Sequence, residues 1–417
     1  MSSNKKFKKI DDNYRRDSFE DRVCDDLCEV LLQFLPIEDK FGFECVSKQF
    51  QRTVFERQYE INLNDLNVRN RFKIFGPPLK KLPNLMSLGF EKSNLRYKSK
   101  LNDSDFDSII KYCHKLKKLN IDLSPISDLM KDSFVEKFSQ KLVSIYVTDR
   151  EVEWIQKSFP KLEEVICSSL YCSFNFKNLK KLVLTDLIWC NSQSKDQYIK
   201  HLENLFENNK TLTHLAFDSR FEDKELLNTV FDEITKLDQL VSLKINVDYY
   251  ENRQFQFMPF INTLDKMSVN CPKLKSLIVD SRFTSLGLVV KFGSIVKKFK
   301  ALKRLRFGLF IRYRENVNRF EEFFSGLQSL THLSVDMPKD ILINGLLKDI
   351  DIHLPELQNL AIKSQYFQVS KHSVKSLCRL SKLETIHLNV RYGSKHTVES
   401  KLLEKCKRIK SIDLKTK

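Results

Sequence analysis

Glycine and proline are scarce in this chain, 9 and 10 residues among 417. That excludes a collagenous or linker-rich chain and argues against an all-β fold built on tight turns. Alanine is nearly missing too, while lysine, phenylalanine, asparagine and isoleucine abound. An AT-rich coding sequence produces that bias and accounts for much of the formal charge of +17. The lysines are scattered, with one dense run at Lys5, Lys6, Lys8 and Lys9, so the charge does not by itself mark a nucleic-acid surface. No stretch approaches the roughly 18 to 20 apolar residues that span a bilayer. The opening MSSNKKFKKIDDNYRR has no apolar core of signal-peptide length. A soluble protein of the cytoplasm or nucleus, with no membrane partner, is the expectation.

Catalytic and metal motifs are missing as well. There is no glycine-rich phosphate loop, no G-x-S-x-G and no H-E-x-x-H. Cys24 and Cys28, and Cys167 and Cys172, lack the second Cys/His pair a zinc site needs. Cys113 and His114 are adjacent, so they point to different faces of one element. Trp154 and Trp189 read as packing residues. Cys24, Cys28, Cys45, Cys113, Cys271, Cys378 and Cys406 sit in apolar-periodic, helix-like stretches, where a free cysteine acts as a small hydrophobe, so a disulfide framework is not expected. The sequence predicts no enzyme, no metal and no cofactor.

What is present is a repeat. Hydrophobic residues make up 41% of the chain, enough for a large core. The unit apolar-x-x-apolar-x-apolar begins at Leu85, Leu116, Leu142, Leu162, Leu179, Leu212, Leu240, Leu274, Leu302, Leu330, Leu357, Leu383 and Ile409. Chance alone produces many such triplets; their spacing is the signal. From Leu274 the gaps are 28, 28, 27, 26 and 26 residues, and the whole run averages 27. An apolar residue precedes many first anchors by three positions: Cys113, Phe159, Cys271, Phe299, Leu327, Leu354, Leu380 and Cys406. Before it come helical stripes such as Leu227, Val230, Phe231 and Ile234. Each unit is a short strand plus an outer helix, neither of which buries its apolar face without neighbours. The spacing predicts an α/β leucine-rich-repeat solenoid of about 13 repeats over residues 61–417. The stretch VNCPKLKSLIV resembles the cysteine-containing repeats of ubiquitin-ligase receptor subunits. The usual Asn or Cys three residues past the last anchor is replaced by Ser124, Arg220, Arg282, Pro338 and Gln365, so the turns there must be held otherwise. The 17-residue gap from Leu162 to Leu179 leaves no room for a full helix and predicts an extended link.

Ahead of the repeats, residues 18–60 read as three short helices behind a basic, disordered tail, residues 1–17. Leu27, Val30, Leu31 and Phe34 form one apolar helix face, which Pro36 ends after Leu35. Asp39 caps a second helix with Phe41, Phe43 and Val46, and Ser47 a third with Phe50, Val54 and Phe55. This segment resembles an F-box, with Val23-Cys24 in place of the family's early Leu-Pro and Phe50 in place of its usual Trp. The resemblance implies docking on the adaptor of an SCF-type cullin-RING ubiquitin ligase, of the S-phase kinase-associated protein kind. The candidate residues for that contact, or for packing the module, are Leu27, Leu31, Leu35, Pro36, Val46 and Phe50. The partners implied are the adaptor, the cullin and a protein substrate held by the repeats. A repeat scaffold outside any ligase, and a basic solenoid binding nucleic acid, are the competing readings.

Residues between the strand anchors face the concave side. The position after the last anchor is often acidic, at Glu91, Asp122, Asp218, Asp280 and Asp336; four residues upstream stand Lys118, Lys181, His214, Arg304 and His332. Lys118, Asp122, His214, Asp218, Asp280, Arg304, His332 and Asp336 are the candidate substrate contacts. The carboxylates form a stripe suited to a basic peptide, or they accept backbone N–H groups in the following turn.

Overall fold

In a computed structural model the described residues are 27, 29–30, 32, 35–42, 48–66, 71–90, 101–148, 150–167, 176–187, 195–219, 224–247, 257–283, 286–309, 323–337, 346–366, 370–392 and 411–416. The chain divides into two compact units, Met1–Leu162 and Glu163–Lys417.

The first unit carries helices α1 (Ile37–Gly42), α2 (Lys48–Glu56), α3 (Pro77–Lys80), α4 (Asp103–Tyr112), α5 (Asp128–Phe138) and α6 (Val152–Ser158). Its strands are β1 (Glu60–Asn62), β2 (Ser87–Gly89), β3 (Lys118–Asn120) and β4 (Ser144–Val147). They pair in parallel and in chain order. The described residues of the second unit form ten strands: β5 (Glu164–Cys167), β6 (Lys181–Leu187), β7 (His214–Ser219), β8 (Ser242–Val247), β9 (Ser276–Phe283), β10 (Arg304–Leu309), β11 (His332–Met337), β12 (Asn359–Tyr366), β13 (Thr385–Tyr392) and β14 (Ser411–Thr416). These also pair parallel with the next in sequence. Between them lie α7 (Lys195–Asn208), α8 (Lys224–Ile234), α9 (Phe257–Asn270), α10 (Leu286–Val296), α11 (Ile350–His353) and α12 (Lys371–Arg379). In each unit, strand and helix alternating along a parallel sheet, at a period of about 27 residues in the second, is the leucine-rich-repeat arrangement.

The anchors do what their spacing requires. Every described anchor from Leu179 to Ile386 is at most 2% exposed, and successive anchors are register partners, as in Leu277–Leu305–Leu333–Leu360–Ile386. The residue three places ahead is buried at Cys113, Phe159, Cys271, Phe299, Leu327, Leu354 and Leu380; Cys406 lies outside the described residues. Burial in this apolar column pushes the Cys113 thiol up to about 12 and that of Cys271 to about 11. Cys113, Cys167 and Cys271 are free. Cys378 corrects the expectation, since its sulfur is in a disulfide whose other half lies outside the described residues.

Between sheet and helices runs a phenylalanine layer. Phe231 of α8 stands 6.4 Å from Phe217 of β7 and 5.5 Å from Phe260 of α9. Phe292 of α10 meets Phe283 at 4.8 Å and Phe307 at 5.9 Å, and Phe307 meets Phe323 at 5.0 Å. Gly293 is required here, because a Cβ at that position would lie 2.4 Å from the Phe323 ring. In the first unit Trp154, half-buried, packs against Phe134 and Phe159, 6.2 and 5.9 Å away; Trp189 is outside the described residues.

Neighbouring repeats are joined by one recurrent backbone device. The carbonyl just ahead of a strand accepts two N–H groups of the next repeat at eleven junctions among the described residues. The Val241 carbonyl takes Lys275 N at 2.8 Å and Ser276 N at 3.1 Å, the Lys275 carbonyl takes Lys303 and Arg304, and the Lys303 carbonyl takes Thr331 and His332. The same fork recurs at Tyr59, Met86, Lys117, Glu163, Lys180, Thr213, Thr331 and Gln358. Tyr59 heads an additional strand, β1, that the triplet count passes over because Gln58 occupies its first-anchor place.

Where the asparagine ladder is missing, two solutions appear. At the first, the Asp122 carboxylate accepts the Ser124 N–H at 2.9 Å. At Arg282 and Gln365 no turn forms; β9 and β12 continue through those positions, β9 with a shift of register against β10 between Val279 and Arg282. Arg220 and Pro338 lie outside the described residues. Residues 168–175 of the short interval lie outside them too, but its ends are visible: Lys180 and Lys181 donate to the Glu163 carbonyl. Asn178 has φ 58, a left-handed conformation that asparagine tolerates.

Asn209 closes this short repeat. It occupies the column that elsewhere holds cysteine, leucine or phenylalanine, and it is fully buried. Its amide donates to the carbonyls of Phe176 at 2.7 Å and Leu205 at 2.8 Å, and its oxygen accepts Leu179 N–H at 2.8 Å. Replacing Asn209 by Ala strands the buried Leu179 N–H, a cost of about 1–3 kcal/mol for that group alone. Urea denaturation of Asn209→Ala should therefore show a clearly lowered midpoint, and Gly293→Ala a loss of about 1–3 kcal/mol from overpacking against Phe323. An unchanged midpoint for Asn209→Ala would mean that the clamp contributes nothing.

Candidate functional site

Two surfaces gather the residues that the sequence singles out: the N-terminal helices of the first unit and the open sheet face of the second.

In the N-terminal module the chain is helical at Leu27, Glu29, Val30 and Leu32, and α1 starts directly behind Pro36. Asp39 is therefore inside the first turn of α1 with Glu38, where both carboxylates complement the helix dipole, and does not stand at the cap. Helix α2 begins after Ser47, as its pattern predicts. The core of the module is Leu32, Ile37, Val54 and Phe55, with Phe41 stacked on Phe55 at 5.8 Å. Arg57 pairs with Glu29. Lys81 lies over the Phe55 ring at 5.4 Å, and Asn84 Nδ2 donates to the Glu56 carbonyl at 2.7 Å, seating the module on the first repeat.

Two residues of the expected core stripe of the first helix, Leu27 and Val30, face outward, and the other two, Leu31 and Phe34, lie outside the described residues. Leu27 and Val30 are each 47% exposed, while Leu32 takes the buried place. Leu35 is half-buried and Pro36 exposed. Tyr59, at 49%, is the third large exposed apolar side chain of the segment among the described residues. Leu31 and Val46, and the side chain of Phe50, lie outside the described residues.

On the sheet face of the second unit, three columns of side chains lie between the buried anchors. His214, Ser242, Ser276, Arg304, His332, Asn359 and Thr385 form the first, each level with its neighbour. Lys244, Ile278, Arg306, Ser334 and Ala361 form the second. The third includes Asp280 of β9, and Asp336 opposite Lys363. Lys118 and Asp122 belong to the first unit, where Lys118 is half-buried in β3 and Asp122 serves its turn. The side chain of Asp218 lies outside the described residues.

The two described carboxylates of this face, Asp280 and Asp336, are occupied. Asp280, 17% exposed, receives Arg306 Nε on one oxygen at 2.9 Å and Lys244 Nζ on the other at 3.2 Å. Asp336 receives Lys363 Nζ at 3.0 Å. The acidic stripe expected for a basic peptide is therefore neutralised from within, by cations on adjacent strands. Lys244, Arg306 and Lys363 are the residues that the two-column reading of the sequence missed; Lys244 and Arg306 stand in the middle column, two residues from the positions that were read.

His332 heads a polar chain across three strands. Thr331 spends its one hydroxyl proton on the Lys303 carbonyl at 3.0 Å, so it accepts from His332 Nδ1 at 2.9 Å. Nε2 is left as acceptor for Asn359 Nδ2 at 2.8 Å, and Asn359 Oδ1 accepts from Thr385. The same threonine geometry fixes His214 through Thr213, at 2.9 Å to both partners. Desolvation, then the Arg304 charge, lowers the His332 pKa below its ordinary 6.5. No group of His, Cys, Asp or Glu able to hold a metal occurs among the described residues. No helix is long and apolar enough to cross a membrane among them.

Because the folded state holds His332 neutral, the unfolded chain binds its proton first as pH falls. Its effect on stability is nil well above pH 6.5, destabilising as pH drops through 6.5, and constant below the folded pKa. Imidazole titration by NMR should give His332 a value under 6.5, and His332→Gln should remove that share of the acid sensitivity. A value above 6.5 would contradict the tautomer assigned here.

No protein-family model matches the sequence, and no curated protein matches it. Solved structures show looser likenesses. The chain is similar to the leucine-rich repeat-containing protein LegL7 from Legionella pneumophila, at 13% identity and TM-score 0.38, over 72% of this chain and 91% of that one. It is similar to the Rad7 and Elc1 complex of yeast at 15% identity and TM-score 0.43, over 84% of both chains. The tropomodulin C-terminal domain of Caenorhabditis elegans follows at 15% identity and TM-score 0.23, over 47% of this chain and 93% of that one.

Proposed function

We propose that this protein is a substrate receptor of an SCF-type cullin-RING ubiquitin ligase, its N-terminal helices docking the adaptor and its repeats holding a protein substrate. The observation that carries the reading is the exposure of Leu27 and Val30 on the first helix. A helix in a monomer turns its apolar face to the core; here Leu27 and Val30 face out while Leu32, Ile37, Val54 and Phe55 supply the core. Exposed Pro36 and half-buried Leu35 extend the stripe toward α1. An apolar helix face left open beside a packed module fits a partner that covers it, and the F-box resemblance of residues 18–58 says which partner. The module's seat on the first repeat, through Asn84 and Lys81, ties the docking helices to the repeats. The receptor contributes effective concentration and orientation rather than bond chemistry.

The test is capture of purified adaptor by the full chain, compared with a Leu27→Asp, Val30→Asp variant. Both positions are exposed, so the variant should melt like the parent while losing adaptor by about tenfold or more. Leu32→Asp, in the core of the module, should instead lower the melting temperature. Adaptor capture unchanged by the double variant, or absent in the folded parent, would overturn the ligase reading and leave a protein-binding repeat scaffold.

A further inference from the structure

We propose that the open sheet face of β8–β12 binds an acidic segment of a partner protein, with Lys244, Arg304, Arg306 and Lys363 as its cationic contacts. The inference names the substrate class of the receptor reading above and rests on that reading. It also reverses the basic ligand that the aspartates alone suggest.

Depth decides the sign of this face. All four cations are exposed, whereas Asp280 and Asp336 are half-buried beneath them. The two carboxylates hold Lys244, Arg306 and Lys363 from below, fixing their side chains and leaving the remaining donors directed at solvent. Arg306 meets Asp280 through Nε, so its terminal N–H groups are available for the two-pronged grip that guanidinium makes on a carboxylate. Among the described residues Arg304 has no ion-pair partner, and it stands two residues before Arg306 on the same face of β10, about 7 Å away along the strand. Four cations against two acids leave a local excess of two positive charges, with the positive groups outermost.

The floor between them is small except at one position. Ser276, Ile278, Ser334 and Ala361 occupy the positions level with or between the cations, all half-buried, and Gly308 adds no side chain. Long basic side chains around a floor of serine and alanine, with Ile278 as an apolar step between Lys244 and Arg306, form a shallow trough that an extended chain can enter. Nucleic acid fits less well: among the described residues that β8–β12 contribute to the three columns, His332 supplies the one ring, so bases have no run of stacking platforms, and the two carboxylates interrupt any path for a phosphate backbone.

The probe is a fluorescein-labelled decapeptide of alternating Glu and Ser, titrated with the full chain and followed by anisotropy. A Lys-Ser decapeptide and a dT oligonucleotide run alongside. The acidic peptide should bind best, with affinity falling as salt rises. Arg304→Glu with Arg306→Glu should weaken it by about tenfold or more. Lys266→Glu, on α9 and paired with Asp232 at 2.9 Å, should leave it unchanged. If the double Glu variant fails to fold, Arg304→Gln with Arg306→Gln removes the charge without repelling Asp280 and carries the test. Unaltered affinity in either folded variant, or tighter binding of the lysine peptide or of dT, would overturn the inference. Adaptor capture measured on the same preparations separates the outcomes: retained capture with no acidic-peptide binding sinks the trough alone, and lost capture with intact peptide binding sinks the ligase reading alone.

Discussion

The forked carbonyl between repeats is the constraint on which everything else in this molecule rests. One C=O that receives two N–H groups from the following repeat fixes where the next strand starts, both along the sheet and across it. Once that start is fixed, the pleat decides which side chains go inward. Leu277, Leu305, Leu333 and Leu360 then meet side by side, and the intervening positions fall into columns. The phenylalanine layer behind the sheet is a consequence, since helices held at a constant pitch present Phe231 and Phe260, or Phe292 and Phe323, to each other.

Much of this was legible in the sequence because hydrophobic burial is periodic there. The anchors and the residue three places ahead of them could be named from spacing alone. What could not be read was wherever a polar residue does an apolar residue's job. Gln58 hides β1, since the triplet begins on a side chain that no hydrophobic count registers. Asn209 stands in an apolar column and is tolerated because all its buried polar atoms are partnered. The outward turn of Leu27 and Val30 was invisible for a different reason. Periodicity shows that a helix has an apolar face, but not whether the molecule itself covers that face.

The open face carries the same lesson for charge. Asp280 and Asp336 are conspicuous in the sequence as an acidic column, and their effect depends on residues 26 to 36 positions away. Lys244 and Arg306 reach Asp280 from the strands on either side, and Lys363 reaches Asp336 from the next. Column by column, charge reads as composition. Across columns it becomes a layered surface, with acids below and cations above. The polar chain from His332 to Thr385 is built the same way, with each hydrogen bond supplied by a different strand.

The forked carbonyl has one more consequence. The junction between repeats is made of peptide groups, and the residues that supply them range from Tyr59 and Met86 to Lys117, Thr213, Val241 and Gln358. A seam written in backbone atoms is indifferent to which repeat lies on either side of it. Units of about 27 residues could therefore be duplicated, deleted or shuffled by recombination, and each new junction would close with the same two bonds. Some seams add an exposed or half-buried hydroxyl, as Thr213 and Thr331 do on the carbonyls of Lys180 and Lys303; the repeat clamped by Asn209 adds a fully buried side chain, and it would have to be inherited together with its neighbour.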